Sequence, residues 1–315
     1  MRRVVVLLCG VFSLASLSCG GESGPDLMVP PPEGEGFQFS LVTVAPAGQE
    51  TWVCALYDMP ITRPASVNWA AYQQTLNTHH MTLSTFLEAP DLENGVYDCN
   101  DLYGDTSLME DQIMFFGAQG DAEGELHLPE GVAANFIPGL KVLHEIHFVN
   151  TTDEDIDLYS VVNGYTIPAR EVEDGIWGGQ VRDETIMIPA RETTTEWTRC
   201  VMNEDVNIQF LASHMHSLGI DFSVRAFDGT ETGELLFQNN DWHTPGIQQF
   251  DPPLVVPAGT GFEYSCTWEN VTDADVTYGL ESTDEMCNLA LVHTPASMSA
   301  RCEVVETSDG VLWTP

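Results

Sequence analysis

The stretch "NIQFLASHMHSLG", residues 207–219, predicts a β-strand that ends in a turn. Its apolar and aromatic side chains suit a pleated strand, and Gly219 marks the turn. Because side chains two residues apart on a strand point to the same face, we expect His214 and His216 to converge. Two such imidazoles commonly bind Zn, Cu or Ni, although histidines in a core are also often satisfied by hydrogen bonds alone.

Short runs of the same character fill most of the chain. Examples are "FQFSLVTV" (37–44), "KVLHEIHFV" (141–149) and "GFEYSCTW" (261–268), and Gly, Pro and Asp separate such runs. Amphipathic helices are hard to find, so an all-β fold of sandwiches or jelly rolls is predicted. A length of 315 residues with 43% hydrophobic composition allows two domains, each with its own core.

A polar and acidic cluster, "NTTDED" at residues 150–155, separates two strand-like runs. We place the domain boundary there, which gives an N-terminal domain at 37–152 and a C-terminal domain at 153–315 that could be distant copies of each other. After the N-terminal segment, the first domain contains two cysteines and the second contains four. An even number of cysteines in an exported chain indicates three disulfides, which each domain can form by itself.

The N-terminal stretch "MRRVVVLLCGVFSLASLSCGGESG" (1–24) has two arginines, an apolar run and a cysteine followed by glycines. It predicts an export signal at 1–18. It resembles a bacterial lipoprotein signal, which implies a lipid on Cys19 and an anchor in the cell envelope, at the outer membrane; the alternative is cleavage near Ser18 and soluble secretion. Residues 19–36, rich in Gly, Pro and acids, predict a flexible tether. No other segment suits a membrane span, so membrane contact is expected only through the lipid.

The formal net charge is −38, and Lys141 is the single lysine. A chain of this charge repels polyanions, which excludes DNA, RNA and acidic membrane surfaces as partners. The plainest meaning of the acidity is solubility.

Two more histidine pairs stand in strand-like runs. His79 and His80 are adjacent, and adjacent strand side chains point to opposite faces, so both bind one ion only where the chain bends. His144 and His147 are three residues apart and also point to opposite faces, so only one of them should face a given site. The remaining candidates lie in or beside turn-like segments and are interpreted as surface or supporting groups: His127, His243 and His293.

The segment "STDEMCNLALVH" (282–293) places Met286 beside Cys287, whose disulfide would hold the backbone. A thioether is a soft ligand that favours Cu(I), while a place in a core is the ordinary role of a methionine. Asp284 and Glu285 are expected to orient this loop or to hydrogen-bond to ligand imidazoles.

Four motifs occur in a fixed order along the mature chain: "HHM" (79–81), "HF" (147–148), "HMHSLG" (214–219) and "TDEMCN" (283–288). Together they closely resemble the motifs of the copper type II, ascorbate-dependent monooxygenases. That family includes peptidylglycine α-hydroxylating monooxygenase and dopamine β-monooxygenase. The resemblance implies two jelly-roll-like β sandwiches with a copper site on each, which face each other across a solvent-filled cleft.

The resemblance also implies which residues bind the two copper ions of each chain. One ion has only imidazole ligands: His79, His80 and His147. The other has two imidazoles and a thioether: His214, His216 and Met286. His144 is implied to be no ligand. The implied disulfides are Cys54–Cys99, Cys200–Cys302 and Cys266–Cys287.

The implied reaction is hydroxylation of a substrate C–H bond by O₂, with two electrons from a reductant such as ascorbate. In the family, the all-histidine copper stores and passes an electron. The second copper, here held by His214, His216 and Met286, binds O₂ and attacks the C–H bond. Two neutral imidazoles and a thioether suit this role because they stabilise the reduced ion and leave a position open for oxygen.

The substrate is expected to differ from that of the peptide-hydroxylating members. Those enzymes bind the substrate carboxylate partly through an Arg and a Tyr at positions that correspond here to Ala212 and Ala290, while Asn288 remains. Because a buried carboxylate without a partner is costly, we expect a neutral or cationic small molecule rather than a glycine-extended peptide. The negative chain would also repel an anionic reductant.

Two other functions are possible on the same residues. A non-catalytic exported lipoprotein would store or deliver copper, but storage needs no two dissimilar sites, so the enzyme is favoured. A purely structural or carbohydrate-binding β sandwich would bind negligible copper. Consumption of O₂ with formation of a hydroxylated product separates the enzyme from both.

Overall fold

The computed structural model describes residues 26–104, 108 and 112–310. The predicted export signal (1–18) and Cys19 lie outside the described residues. Within the described part the chain is nearly all β, so the all-β class that the sequence predicts is confirmed. None of its helices there is long and apolar enough to cross a membrane.

The first β sandwich is formed by the N-terminal half of the described chain. Its helices are α1 (Cys99–Tyr103) and a 3₁₀ helix (Ala169–Glu171). Its strands are β1 (Gly36–Ala45), β2 (Glu50–Asp58), β3 (Ala65–Gln74), β4 (Thr78–Phe86), β5 (Gly95–Asp98), β6 (Gln112–Gly120), β7 (Glu123–His127), β8 (Val132–Phe136), β9 (Lys141–Val149), β10 (Ile156–Ile167) and β11 (Asp174–Gly175).

Two sheets pack face to face in this sandwich. Sheet 1 has the order β1-β10-β3-β8-β11, with β7 also paired to β3, and sheet 2 has the order β5-β2-β9-β4-β6. Alternate side chains of β9, namely Val142, Ile146 and Phe148, lie in the core between the sheets. The side chains between them on β9 therefore point to the outer face of sheet 2.

The second sandwich follows directly. Sheet 3 has the order β12-β21-β15-β18, sheet 4 has the order β17-β16-β19-β14-β22, and β13 pairs with β20. Trp268, Tyr264, Phe222 and Phe262 are fully buried in its core. The strands are β12 (Trp177–Arg182), β13 (Met187–Ile188), β14 (Thr193–Met202), β15 (Val206–His214), β16 (Gly219–Phe227), β17 (Thr232–Asn239), β18 (Ile247–Val256), β19 (Gly261–Glu269), β20 (Val276–Thr277), β21 (Asn288–Thr294) and β22 (Cys302–Thr307).

The domain boundary predicted between residues 152 and 153 is wrong. Strand β10 lies after that point, yet it pairs along its length with β1 and β3, and its Leu158 and Val162 belong to the first core. The chain changes sandwich between β11 and β12, at about residue 176. The polar cluster at 150–155 has the composition of a linker, but it is a tight turn that connects β9 of sheet 2 to β10 of sheet 1 within the same sandwich.

The same turn occurs in both sandwiches. Asn150 donates through Nδ2 to the carbonyl four residues on, and its Oδ1 accepts from the backbone N–H and hydroxyl of Thr152. Asn270 and Thr272 make the same three bonds after β19. This repeated side-chain arrangement supports the idea that the two sandwiches are distant copies.

Three disulfides hold the sandwiches: Cys54–Cys99, Cys200–Cys302 and Cys266–Cys287. They are the pairings that the resemblance implies, and each lies within one sandwich. Three disulfides are consistent with an exported protein.

The flexible tether predicted at 19–36 is wrong for its described part. The Met28 N–H donates to Gln73 Oε1 at 2.7 Å, and Asn163 Nδ2 donates to the Val29 carbonyl at 2.9 Å. These bonds fix residues 28 and 29 against β3 and β10.

Candidate metal centre

The first candidate site lies on the outer face of sheet 2. One ring nitrogen each of His79, His80 and His147 lies within 4.8 Å of the other two. The pairing of β4 with β6 shifts register between Thr78 and Met81, so a bulge contains the two adjacent histidines. The sequence requires such a bend for both side chains to reach one ion, and the structure contains it.

The hydrogen bonds of this group decide which nitrogens are free. His80 Nε2 lies 2.7 Å from Glu145 Oε1, and His147 Nε2 lies 2.6 Å from Glu50 Oε1. A carboxylate only accepts, so Nε2 carries the hydrogen in both rings and Nδ1 keeps a lone pair.

The Nδ1 atoms of His79, His80 and His147 face the middle of this group. His80 Nδ1 is buried without a hydrogen-bond partner, and His79 Nδ1 lies 3.2 Å from His147 Nδ1. Buried polar atoms in native structures are rarely left alone. Three converging imidazoles, two of them with an Nδ1 lone pair fixed by a carboxylate on Nε2, fit a bound metal ion such as copper.

Glu145 is buried beneath the site and supports it. Burial acts to raise the pKa of Glu145, but hydrogen bonds from His80 and from the Tyr103 hydroxyl, at 2.7 Å, lower it to about 2. The carboxylate is therefore ionised and fixes the orientation of the His80 ring. Trp52 stacks on His147, with ring centroids 5.2 Å apart.

Burial also keeps the imidazoles of His79 and His147 neutral. It lowers the pKa of His79, and the imidazoles of His80 and His216 lower it further. It lowers the pKa of His147 as well. Neutral imidazole is the form that binds a metal ion.

His144 lies on the opposite face of β9, as the spacing predicts. Its side chain is fully buried in the first sandwich, and its Nε2 lies 2.8 Å from Ser160 Oγ of β10. It therefore takes no part in the group on the outer face.

The second candidate site lies at the end of β15. The rings of His214 and His216 are 5.3 Å apart between centroids. Only His214 is on the strand, however, so the expectation that both are strand residues is wrong for His216. His216 lies in the following turn, where its carbonyl accepts from the Gly219 N–H at 3.1 Å.

In the rings of His214 and His216, the nitrogen that is free to bind a metal ion is Nε2. His214 Nδ1 lies 3.1 Å from Gln119 Oε1, and His216 Nδ1 lies 2.9 Å from the Asp284 carbonyl. Both partners are acceptors, so Nδ1 carries the hydrogen. Burial lowers the pKa of His214 well below its usual value and that of His216 to about 4, so both are neutral.

Glu285 holds the turn that carries His216. It accepts from the backbone N–H groups of His216 and Leu218, at 2.9 and 2.6 Å, and from Trp268 Nε1 at 3.0 Å. Burial raises the pKa of Glu285 to about 7, and these donors act in the opposite direction because they favour the carboxylate. Asp284 and Glu285 thus orient this region, as expected from their position in the sequence.

Met286 is buried next to the same strand pair. Its Sδ lies 3.2 Å from Asn288 Nδ2, and Asn288 is the register partner of His214. The adjoining Cys287 is fixed to Cys266 by a disulfide.

The residues predicted to line a substrate pocket are neighbours on one face of sheet 3. Ala212 of β15 pairs with Ala290 of β21, two residues from the pair of His214 with Asn288. Strand alternation therefore puts both alanines on the face that carries the His214 side chain.

The two candidate sites adjoin, and no open cleft separates them. The ring centroid of His79 lies 5.1 Å from that of His216 and 6.4 Å from that of His214, and His80 lies 6.3 Å from His214. The side chains of His147 and His216 are only 1% exposed. The cleft implied by the resemblance is closed in this structure.

Several supporting residues were missed at the sequence level. Glu145 could have been found, because it lies two residues before His147 and must share its face. Glu50 and Gln119 are distant in sequence and carried no such signal. His293 was interpreted as a surface or supporting group, but it is fully buried on β21.

Comparison with known families identifies one matching model. Residues 176–314 match the model described as copper type II ascorbate-dependent monooxygenase, C-terminal domain. The matched region begins where the chain enters the second sandwich. Comparison with curated proteins gives no match.

Solved structures show only distant likeness. An 11S globulin from Wrightia tinctoria has 7% sequence identity and a TM-score of 0.20, and the alignment covers 85% of this chain and 78% of that chain. A structure of the infectious bursal disease virus Gx strain has 12% identity and a TM-score of 0.18, with coverage of 86% and 75%. Likeness at this level carries no argument about function.

Proposed function

We propose a function for the whole chain from the match of residues 176–314 to the model of the copper type II ascorbate-dependent monooxygenase C-terminal domain. The protein is a copper monooxygenase that uses O₂ and a reductant such as ascorbate to hydroxylate a C–H bond. Its substrate is a small organic molecule rather than a glycine-extended peptide or a nucleic acid.

One observation supports this proposal above the others. Two unlike sets of candidate ligands adjoin: three imidazoles with converging ring nitrogens, and two imidazoles with free Nε2 atoms together with the buried thioether of Met286, which contacts the register partner of His214. A protein that only stores copper has no need for two different ligand sets. A redox enzyme does, because ligand softness sets which oxidation state of copper is favoured.

The first set, His79, His80 and His147, would hold one copper ion, with Nδ1 as the free nitrogen of His80 and His147. Glu145 and Glu50 orient two of these rings and keep the hydrogen on Nε2. Trp52 and Tyr103 pack around them and limit water.

The second set, His214, His216 and Met286, would hold the other ion. Copper bound there would supply one-electron redox chemistry and a coordination position for O₂. The protein orients His216 through Asp284 and Glu285, and it excludes water by burying Met286 and His216.

We also propose that the protein is exported. The disulfides are consistent with an oxidising compartment, and Cys19 would carry a lipid that anchors the chain in the bacterial envelope. The alternative is secretion after cleavage of the signal.

The test is O₂ consumption by copper-loaded protein with ascorbate, together with a screen for oxygenated products. Met286→Ala and His214→Ala should abolish coupled product formation. Met298→Ala is the matched control because Met298 is 67% exposed and belongs to neither set. Copper binding without O₂ consumption would instead support storage or delivery, and negligible copper would support a structural or carbohydrate-binding sandwich.

A further inference from the structure

An apolar cavity lies where the first sandwich meets the second. Its volume is about 80 Å³, and its walls include Phe37, Phe115, Phe116 and Phe136 from the first sandwich and Phe210 and Val292 from sheet 3. Its lining includes no charged side chain. The amide nitrogen of its one Asn, Asn68, already donates to three backbone carbonyls.

The cavity and the second ligand set lie on the same face of sheet 3. On β15, Phe210, Ala212 and His214 alternate onto this face. Their register partners on β21 are Val292, Ala290 and Asn288 in the same order. At the rise of a strand, Phe210 and His214 are about 13 Å apart along this face. The face therefore leads from the cavity, across the two alanines, to a candidate copper ligand.

Strand β6 of the first sandwich forms the opposite wall. Its Gln119 contacts His214 at one end, and its Phe115 lines the cavity with Phe210 at the other. Between them lies Gly117. A Cβ added to Gly117 would have its three nearest atoms at 3.5, 3.6 and 4.0 Å, and all three belong to the first sandwich. The residues between the cavity and His214 are therefore small on both walls: Gly117 on β6, Ala212 on β15 and Ala290 on β21.

No free cation is available along this path in the described residues. Arg182 of β12 pairs with Asn288, which pairs on its other side with His214. The Arg182 guanidinium already has partners: its Nε lies 3.6 Å from Glu184 Oε1, and its Nη1 lies 3.4 Å from the Tyr278 hydroxyl. A carboxylate placed between the alanines would lose water without gaining a partner, which is costly. An uncharged apolar group would gain by leaving water.

We infer that the cavity binds an uncharged apolar group of the substrate, a short alkyl chain or an aryl ring, and that the C–H bond to be hydroxylated lies beyond Ala212 and Ala290 toward His214. This inference names the substrate class of the proposed monooxygenase and rests on that function. The apolar group sets affinity and orientation, and the alanines allow the rest of the molecule to pass.

The first arm of the test measures binding alone. Copper-free protein is titrated with n-alkanols from ethanol to hexanol, with tryptophan fluorescence as the readout because Trp69 lines the cavity. Affinity should rise about fourfold per methylene until the cavity is full. The n-alkanoates of equal length should bind at least tenfold more weakly than the alkanols.

Matched variants locate the site. Val292→Phe should fill the cavity and weaken hexanol binding at least tenfold, while Val255→Phe, at a position 70% exposed on β18, should not. Ala290→Leu provides a second obstruction if Val292→Phe fails to fold, as checked by circular dichroism. Equal affinity for all chain lengths, tighter binding of alkanoates, or normal hexanol binding by the obstructed variants would overturn the inference.

The second arm compares O₂ consumption by copper-loaded protein for the same alkanols. Turnover that is independent of chain length would overturn the inference and leave the monooxygenase intact. Chain-length-dependent binding without any O₂ consumption would leave the cavity as a binding site and overturn the proposed function.

Discussion

Gln119 of the first sandwich accepts a hydrogen bond from His214 of the second, with Oε1 and Nδ1 3.1 Å apart. Gln119 also donates through Nε2 to the Trp242 carbonyl at 2.7 Å, and its side chain is only 7% exposed. One buried amide thus fixes the tautomer of a candidate ligand in one sandwich from a strand of the other. The first sandwich is therefore joined to the second ligand set by a specific polar contact.

Gln119→Leu removes this contact. Because a metal-bound imidazole depends on the partner of its other nitrogen, copper affinity at the second set should fall by about 10–100-fold. Competition with a Cu(I) chelator measures this loss. Gln248→Leu is the matched control, since Gln248 Nε2 donates to the carbonyl of the neighbouring Gln249 and not to a candidate ligand. Unchanged affinity in Gln119→Leu would show that the contact does not support the ligand.

Glu145→Gln tests the support of the first set. The substitution removes the charge that holds the hydrogen on His80 Nε2, so copper affinity at this set should fall by about 10–100-fold. Tyr103→Phe removes only the hydroxyl that bonds to the other carboxylate oxygen and should have a smaller effect. Equal losses in both variants would point to a general disturbance of packing instead.

Two histidines of one strand should behave differently. His147→Ala should reduce bound copper from two ions per chain to one, as measured by elemental analysis after dialysis. His144→Ala should keep both ions and instead lower the free energy of unfolding by about 1–3 kcal/mol, because it leaves the buried Ser160 hydroxyl without its partner. Loss of copper from His144→Ala without unfolding would contradict the assignment.

Ionic strength should control the reaction with ascorbate. The net charge of −38 repels an anionic reductant, and added salt screens that repulsion. Turnover at limiting ascorbate should therefore rise between low and physiological ionic strength. An uncharged reductant should show no such rise. A flat or falling profile with ascorbate would exclude this electrostatic effect.

Stability should depend on pH through Glu196. Burial raises its pKa from the usual 4.5 to about 7. Between these values the folded protein binds a proton that the unfolded chain does not, so the free energy of unfolding falls as pH rises through this window. Denaturant titrations at several pH values give the free energy of unfolding as a function of pH. This free energy should fall less steeply with pH in Glu196→Gln than in the wild type. Glu192→Gln, at an exposed position, should keep the wild-type slope.

The sequence predicted the strand-rich fold and the convergence of His214 with His216 because both depend on short-range patterns, while the grouping of His79 and His80 with His147 came only from the family resemblance. Alternation places His144 and His147 on opposite faces, and the adjacent His79 and His80 demand a bulge that the structure contains. The domain boundary could not be found in this way. A polar turn within a sandwich, such as that at Asn150, has the same composition as a linker, and only the pairing of β10 distinguishes them.

The contact between the sandwiches was also beyond sequence reasoning. Gln119 and His214 are 95 residues apart, and no periodicity connects them. The same holds for the cavity, whose walls come from β6 and from sheet 3. Long-range packing creates both features, so they appear only once the two sandwiches are placed.

Copper-edge X-ray absorption of fully loaded, reduced protein tests the central claim most directly. We expect two copper ions per chain, with one sulfur and five imidazole nitrogens shared between them. The sulfur signal should vanish in Met286→Ala and persist in Met298→Ala. One ion per chain, or a wild-type spectrum without sulfur, would contradict the two unlike sites on which the proposed function rests.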